Sequence, residues 1–125
     1  MNDTIIKSSR NTDRAPISAT STQSVAFSHY NNISAQLPID PKTGTLVAAE
    51  ITAQAKQCLD NIKAIVESTE HLMDDVIKIN VFLKDIADMQ AVDTVYRTFF
   101  SDYLPTRNVV MVAELPMSGA LIQMD

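Results

Sequence analysis

A single arginine stands at the mouth of an apolar run near the C-terminal end of this chain. Arg107 is followed by Val109, Val110, Met111, Val112 and Ala113, and Pro105 and Pro116 bracket the stretch. Arginine keeps its charge and presents a planar fork that matches a carboxylate in two hydrogen bonds. A cation where a sheet begins is poised to hold an anion, so Arg107 is the first candidate for a site; the other reading is a surface arginine ending a strand. The remaining reactive side chains offer less. Cys58, the one cysteine, falls on the apolar face of a helical pattern with no base beside it, which suits a small core residue better than a nucleophile. His29 and His71 sit in turn-like surroundings without further ligands at metal spacing, and read as surface residues rather than a metal site.

The elements that must position Arg107 follow from periodicity. Ile51, Ala55, Cys58, Ile62 and Ile65 recur at helical spacing and predict a helix over residues 48–67, with Leu59 and Val66 widening the stripe. Ile77, Ile79, Val81 and Leu83 alternate with Lys78 and Asn80, which predicts a half-buried strand over 75–83. Met89, Val92, Tyr96 and Phe99 form the stripe of a second helix over 88–100, with Asp88 as its expected N-cap. Strands are expected at 107–113 and 120–124. Ahead of the first helix, residues 25–27 and 33–35 flank a turn over 28–32, because paired asparagines tolerate the left-handed conformation. Residues 37–44, with Pro38, Pro41 and Gly44, read as a loop. Ile5 and Ile6 suggest a short first strand, residues 8–24 an irregular stretch, and residues 1–20 a loosely held N-terminal segment of a single 1–125 domain.

Strands, helix, strand, helix and strands in that order imply an α+β fold: a mixed, roughly six-stranded sheet with a parallel crossover and two helices on one face. Both faces of the 107–113 strand are apolar, so the chain is expected to form an oligomer that buries the second face. Its 125 residues, 46% hydrophobic and 20% charged, suit one compact domain. A net charge of −5 without clustered Lys and Arg argues against nucleic acid as a partner. No apolar run reaches the roughly 20 residues that span a bilayer, and no signal peptide is visible. The expectation is a cytoplasmic protein with no membrane partner.

Several segments together resemble one family. Residues 34–44, from Ser34 and Gln36 to Pro38, Asp40, Pro41 and Gly44, are similar to the "SGQIPxDPxTG" element of the RidA/YjgF reactive-intermediate deaminases, formerly labelled L-PSP endoribonucleases. Residues 54–64 resemble its "QTxQxLxNIKA" helix, and residues 75–85 its "DVVKxTVFLxD" strand. Val95 and Tyr96, Phe99 and Phe100, and Pro105 to Arg107 resemble "VYxxFF" and "PAR"; residues 119–123 resemble "GALVE". The likeness covers nearly the whole chain from about residue 15.

The resemblance implies a chorismate-mutase-like domain that forms a homotrimer around a central barrel, with small carboxylates bound in clefts between subunits. It implies hydrolysis of 2-iminobutanoate and 2-iminopropanoate to 2-keto acids and ammonia, without metal or organic cofactor. Carried over residue by residue, Arg107 corresponds to the arginine that grips the substrate carboxylate, Ser34 to the pocket serine, and Val109 to a position whose main chain faces the substrate. Three positions depart from the pattern. Ser21 stands where the family has tyrosine, Asp93 where it has asparagine, and Gln123 where it has the glutamate held to position water. A carboxamide can orient a water but cannot take its proton. Asp125 could supply a carboxylate from the same strand face, or be a frayed terminal residue; Asp93 could pair with Arg107, or be a solvated helix residue. The readings are an imine deaminase using Arg107, Gln123 and Ser34; a weakly catalytic or non-catalytic trimer binding a small carboxylate; and, more remotely, a ribonuclease or translation inhibitor.

Overall fold

The computed structural model describes residues 7–125, so the strand expected at Ile5 and Ile6 lies outside the described residues. Three strands open the fold: β1 (Lys7–Arg10), β2 (Ser24–Phe27) and β3 (Tyr30–Ile33), paired antiparallel in that order. The stretch read as irregular therefore begins with strand residues. The expected turn is tighter than its five residues: Phe27 pairs with Tyr30, leaving Ser28 and His29 as the loop, with Ser28 at φ 58°. Asn31 and Asn32 are drawn into β3 because the register sets them opposite Ala26 and Val25. Between β1 and β2 there is no regular structure, yet Gln23 fastens it. Its buried amide donates to the carbonyls of Thr12, Ala15 and Pro16, and its Oε1 accepts from the Thr12 N–H at 2.7 Å. The 37–44 loop contains strand β4 (Ile39–Asp40), which pairs with β5 (Thr45–Leu46) just beyond it, turned by an Asp40 carboxylate that accepts from Lys42 N and by Gly44 at φ 71°.

Helix α1 spans Ile51–Ser68. It starts three residues later than expected because Glu50 is extended (φ −139°, ψ 132°) and caps the helix: its carboxylate accepts from Thr52 N at 2.8 Å and Ala53 N at 2.9 Å. These backbone bonds hold the Glu50 carboxyl below its ordinary range. Leu59, Ile62, Ile65 and Val66 are buried on its inner face, each contributing roughly 1.5–3 kcal/mol. A short turn, Met73–Asp75, then precedes β6 (Lys78–Leu83). Ile79, Val81 and Leu83 are buried as the alternation predicted, but Ile77 lies before the strand and is 67% exposed. Helix α2 (Met89–Arg97) is not capped by Asp88, which already has helical dihedrals; Asp85 supplies the side-chain cap, one turn earlier, by accepting from Ala87 N. Phe99 and Phe100 follow the helix, and Phe100 still packs into the core.

β7 (Thr106–Met111) pairs parallel with β6, the crossover that the element order implied, and β8 (Ile122–Met124) pairs antiparallel on the other side of β6. The expected six-stranded sheet is interrupted. Three sheets form among the described residues, and the chain three residues past β3 meets β8 through an isolated bridge, Gln36 to Met124. The cause is the short reach of β8, whose three residues lie against Gln36 and against Val81–Leu83 only. Along the line of β8, a cavity of about 510 Å³ separates β3 from the start of β6. The helices pack on the Ile79, Val81 and Leu83 face. Ladder partners share a face, so Asn80, Phe82, Asn108, Val110 and Gln123 lie together on the opposite one.

Cys58 is fully buried, with Sγ 3.4 Å from the Gln36 carbonyl, and burial pushes its thiol far above the ordinary range. The folded protein should therefore resist a disulfide reagent at mildly alkaline pH, while urea-unfolded chain reacts at once. Fast labelling of folded protein would show that this side of the core opens readily.

Candidate active site

Arg107 lies one residue inside β7, paired with Ile79, and so projects to the helix side of the sheet. There it meets α2. Its guanidinium lies over the Tyr96 ring, 4.9 Å from the centroid, and its Nη1 donates to Asp93 Oδ1 at 2.5 Å. Tyr96 and Asp93 are three residues apart on α2 and hence neighbours on its surface. Sequence left two readings of Asp93 open; the structure shows the ion pair. Asp93, Tyr96, Arg97, Leu104, Pro105 and Arg107 line a cavity of about 260 Å³. The arginine and aspartate side chains remain 28% and 36% exposed, so the pair is accessible to a ligand. Burial raises the Tyr96 phenol above its ordinary value, against the opposing pull of Arg107, and its hydroxyl is buried without a hydrogen-bond partner among the described residues.

The loop forming one wall of this cavity is anchored from a distance. The Asp74 carboxylate accepts from the Ser101 hydroxyl, from Ser101 N at 3.0 Å and from Asp102 N at 3.2 Å. The Ser101 hydroxyl bond is the main cause holding the Asp74 carboxyl below its ordinary range. Asp74 thereby fixes the start of the segment that carries Leu104 and Pro105 into β7. The family-like motifs around residues 75–85 gave no hint of this role; a lone Asp in a turn has no distinguishing pattern.

The other sequence-selected residues lie apart from Arg107. Ser34 donates its hydroxyl to the Thr22 carbonyl at 2.5 Å and its N–H to the Gln23 carbonyl at 2.9 Å, at the base of the β2–β3 hairpin. Ser21, exposed, is in the same neighbourhood of the chain. Val109 packs its side chain against the core. Gln123 pairs with Phe82, whereas Arg107 pairs with Ile79. Residues 79 and 82 of one strand point to opposite faces, so Gln123 and Arg107 stand on opposite sides of the sheet. Asp125 does share the Gln123 side, but it is neither frayed nor free: Asn80 Nδ2 donates to its carboxylate at 2.8 Å, and its backbone pairs with Asn80 in both directions. His29 and His71 both line the larger cavity; His71 Nδ1 is 3.6 Å from Asp75. Among the described residues no helix is long and apolar enough to cross a membrane.

These features define a small α+β domain with a guanidinium-lined cleft at the edge of its sheet. A family model described as Endoribonuclease L-PSP matches residues 12–125. A RutC family protein of Pyrococcus horikoshii is 41% identical over 103 residues, covering 82% of this chain and 81% of the relative. A 2-iminobutanoate/2-iminopropanoate deaminase of Salmonella typhimurium is 45% identical over 86 residues, 66% of each chain. Among solved structures, a Rid-family protein from Yersinia pestis superposes with a TM-score of 0.90 at 32% identity, covering 95% of both chains. The chain belongs to the RidA/YjgF family, and its fold is the fold of that family.

Proposed function

We propose that this protein is a cytoplasmic imine deaminase of the RidA type, hydrolysing 2-iminobutanoate and 2-iminopropanoate to 2-keto acids and ammonia as a homotrimer around a central barrel. The observation that carries the reading is Arg107, oriented by the Tyr96 ring and opening on a small cavity. A guanidinium held at the end of a strand receives a carboxylate in two charge-assisted bonds. Fixing the imino acid there brings its electrophilic carbon to a defined place, and positioning alone accelerates attack by water.

The water-orienting groups come from a neighbouring subunit in this reading. Arg107 and Gln123 face opposite sides of one sheet, so a single chain does not bring them to one substrate. A trimer whose open sheet faces meet also covers Val110, 45% exposed on that side. Gln123 orients the water through its amide, and the proton released on attack passes to solvent, because a carboxamide cannot accept it. Ser34 offers a second polar contact through its hydroxyl oxygen, whose proton is engaged by Thr22.

A second reading, a trimer that binds a small carboxylate with little turnover, is favoured by one observation: Gln123 supplies no base, and the carboxylate nearest Arg107 is already paired with it. Generating 2-iminopropanoate in situ with a dehydratase and following loss of semicarbazone formation separates the two. Turnover by the wild type, increased in Gln123→Glu, supports the deaminase. An inert wild type that gains activity in Gln123→Glu shows a binding protein. Elution at a mass near that of the 13.8 kDa monomer overturns the trimer. Ribonuclease action, suggested by the family description, is disfavoured by the net charge of −5.

A further inference from the structure

We propose that Asp93 makes the Arg107 cleft selective for small zwitterions, so that it takes 2-imino acids in their protonated iminium form and rejects the 2-keto acid product. The inference rests on the carboxylate-clamp reading of Arg107 and adds to it a partner for the ligand's positive charge.

The argument starts from the pair itself. Arg107 Nη1 is 2.5 Å from Asp93 Oδ1. A ligand carboxylate that approaches the guanidinium meets a carboxylate already there, and two carboxylates on one cation repel each other. A bare anion must displace Asp93 and leave it with nothing to pair with. Arg97 also lines the cavity, but no ion pair joins it to Asp93 among the described residues. A ligand that brings its own cation removes the conflict. In a 2-iminium acid the carboxylate and the =NH2+ group sit on adjacent carbons. The carboxylate can then take the Arg107 fork while the iminium hydrogens point to Asp93, and the protein pair opens to admit a complementary one. The cavity, about 260 Å³, is at the small end for a ligand site and suits a molecule of a few heavy atoms.

Hydrolysis then changes the charge that Asp93 reads. Water adds to the iminium carbon, its two protons pass through solvent to the nitrogen, the C–N bond breaks, and the nitrogen leaves as ammonium: C=NH2+ and H2O give C=O and NH4+. The product keeps its carboxylate and loses its cation. Asp93 regains Arg107, and the keto acid is expelled. Asparagine at this position can donate or accept a hydrogen bond but carries no charge, and would not distinguish substrate from product in this way.

The test is calorimetric titration of the assembled protein with 2-aminobutanoate, a stable zwitterion, and with 2-ketobutanoate, the corresponding anion. The wild type is expected to bind the zwitterion about tenfold or more tightly than the keto acid, a modest fraction of what like-charge contacts can cost at an interface. Asp93→Asn should lose that preference, chiefly by tightening the keto acid about tenfold. Equal keto acid affinity in wild type and Asp93→Asn overturns the inference and leaves the clamp intact. Unchanged affinities in Arg107→Ala overturn the clamp instead. A wild type that binds neither ligand overturns both.

Discussion

Replacing Arg107 with alanine is expected to lower kcat/KM for 2-iminopropanoate by about 100-fold or more, while the protein stays folded and assembled. The magnitude follows from what the side chain does in the proposed complex. Bidentate, charge-assisted bonds to a carboxylate are each about twice as strong as neutral ones, and loss of a single charge-stabilising donor in an active site costs about 100- to 1,000-fold. The stability side is small by comparison. Arg107 loses an ion pair with Asp93 in which both partners are partly exposed, worth about 0–1 kcal/mol. It also loses the contact over Tyr96, worth about 0.5–1 kcal/mol at such a site. Denaturant unfolding should thus shift little while turnover collapses. Arg107→Lys tests the geometry: a point charge replaces the fork, so partial binding should return with poor turnover. An alanine variant that turns over imine at the wild-type rate would remove Arg107 from the site altogether.

Why Arg107 was legible in the sequence, and its surroundings were not, has a physical reason. A charged fork next to a strand-forming run is a local pattern, and so are the 3.6-residue stripe of α1 and the alternation of Ile79, Val81 and Leu83. Local patterns reveal which face is buried, and they placed the parallel β6–β7 crossover correctly. They do not reveal which distant polar group meets which. The Asp93–Arg107 pair spans 14 residues and depends on how α2 packs over β7. The separation of β1–β3 from β6–β8 depends on how far β8 reaches, and no periodicity encodes that. Glu50 shows the same limit on a smaller scale. Residues 48–50 suit a helix by propensity, but a carboxylate accepting two backbone N–H groups is worth more as a cap than as another helical residue. The separation of Gln123 from Arg107 needed only the ladder register, which sequence alone leaves free to slip by one.

The same limit hid the residue whose loss should most damage the fold around the site. Gln54 lies within α1 beside the apolar stripe and is fully buried. Its Nε2 donates to the Gly119 carbonyl at 3.0 Å, and its Oε1 accepts from Leu121 N at 2.7 Å. These two bonds tie the helix to the turn that feeds β8, where Gly119 adopts φ 90° and a Cβ would stand 3.3 Å from Leu46 Cδ1. Gln54→Met keeps the length and shape of the side chain and removes both bonds. A backbone group left unpaired costs about 1–3 kcal/mol, and the exposed Gly119 carbonyl falls at the low end because water can reach it, so a loss of roughly 2–4 kcal/mol in urea unfolding is expected. Hydrogen exchange should show where the loss falls: the Leu121 amide loses protection while amides in the middle of α1 keep theirs. The variant also separates the two halves of the proposed site. Gln123 lies two residues beyond Leu121 and should lose its fixed position, whereas Arg107 on β7 should not. Imine turnover should therefore fall in protein that is still folded and still binds 2-aminobutanoate. A stability loss well under 1 kcal/mol would mean that water replaces both bonds, and that the ladder to β6 with the packing of Ile122 and Met124 is enough to hold β8 in place.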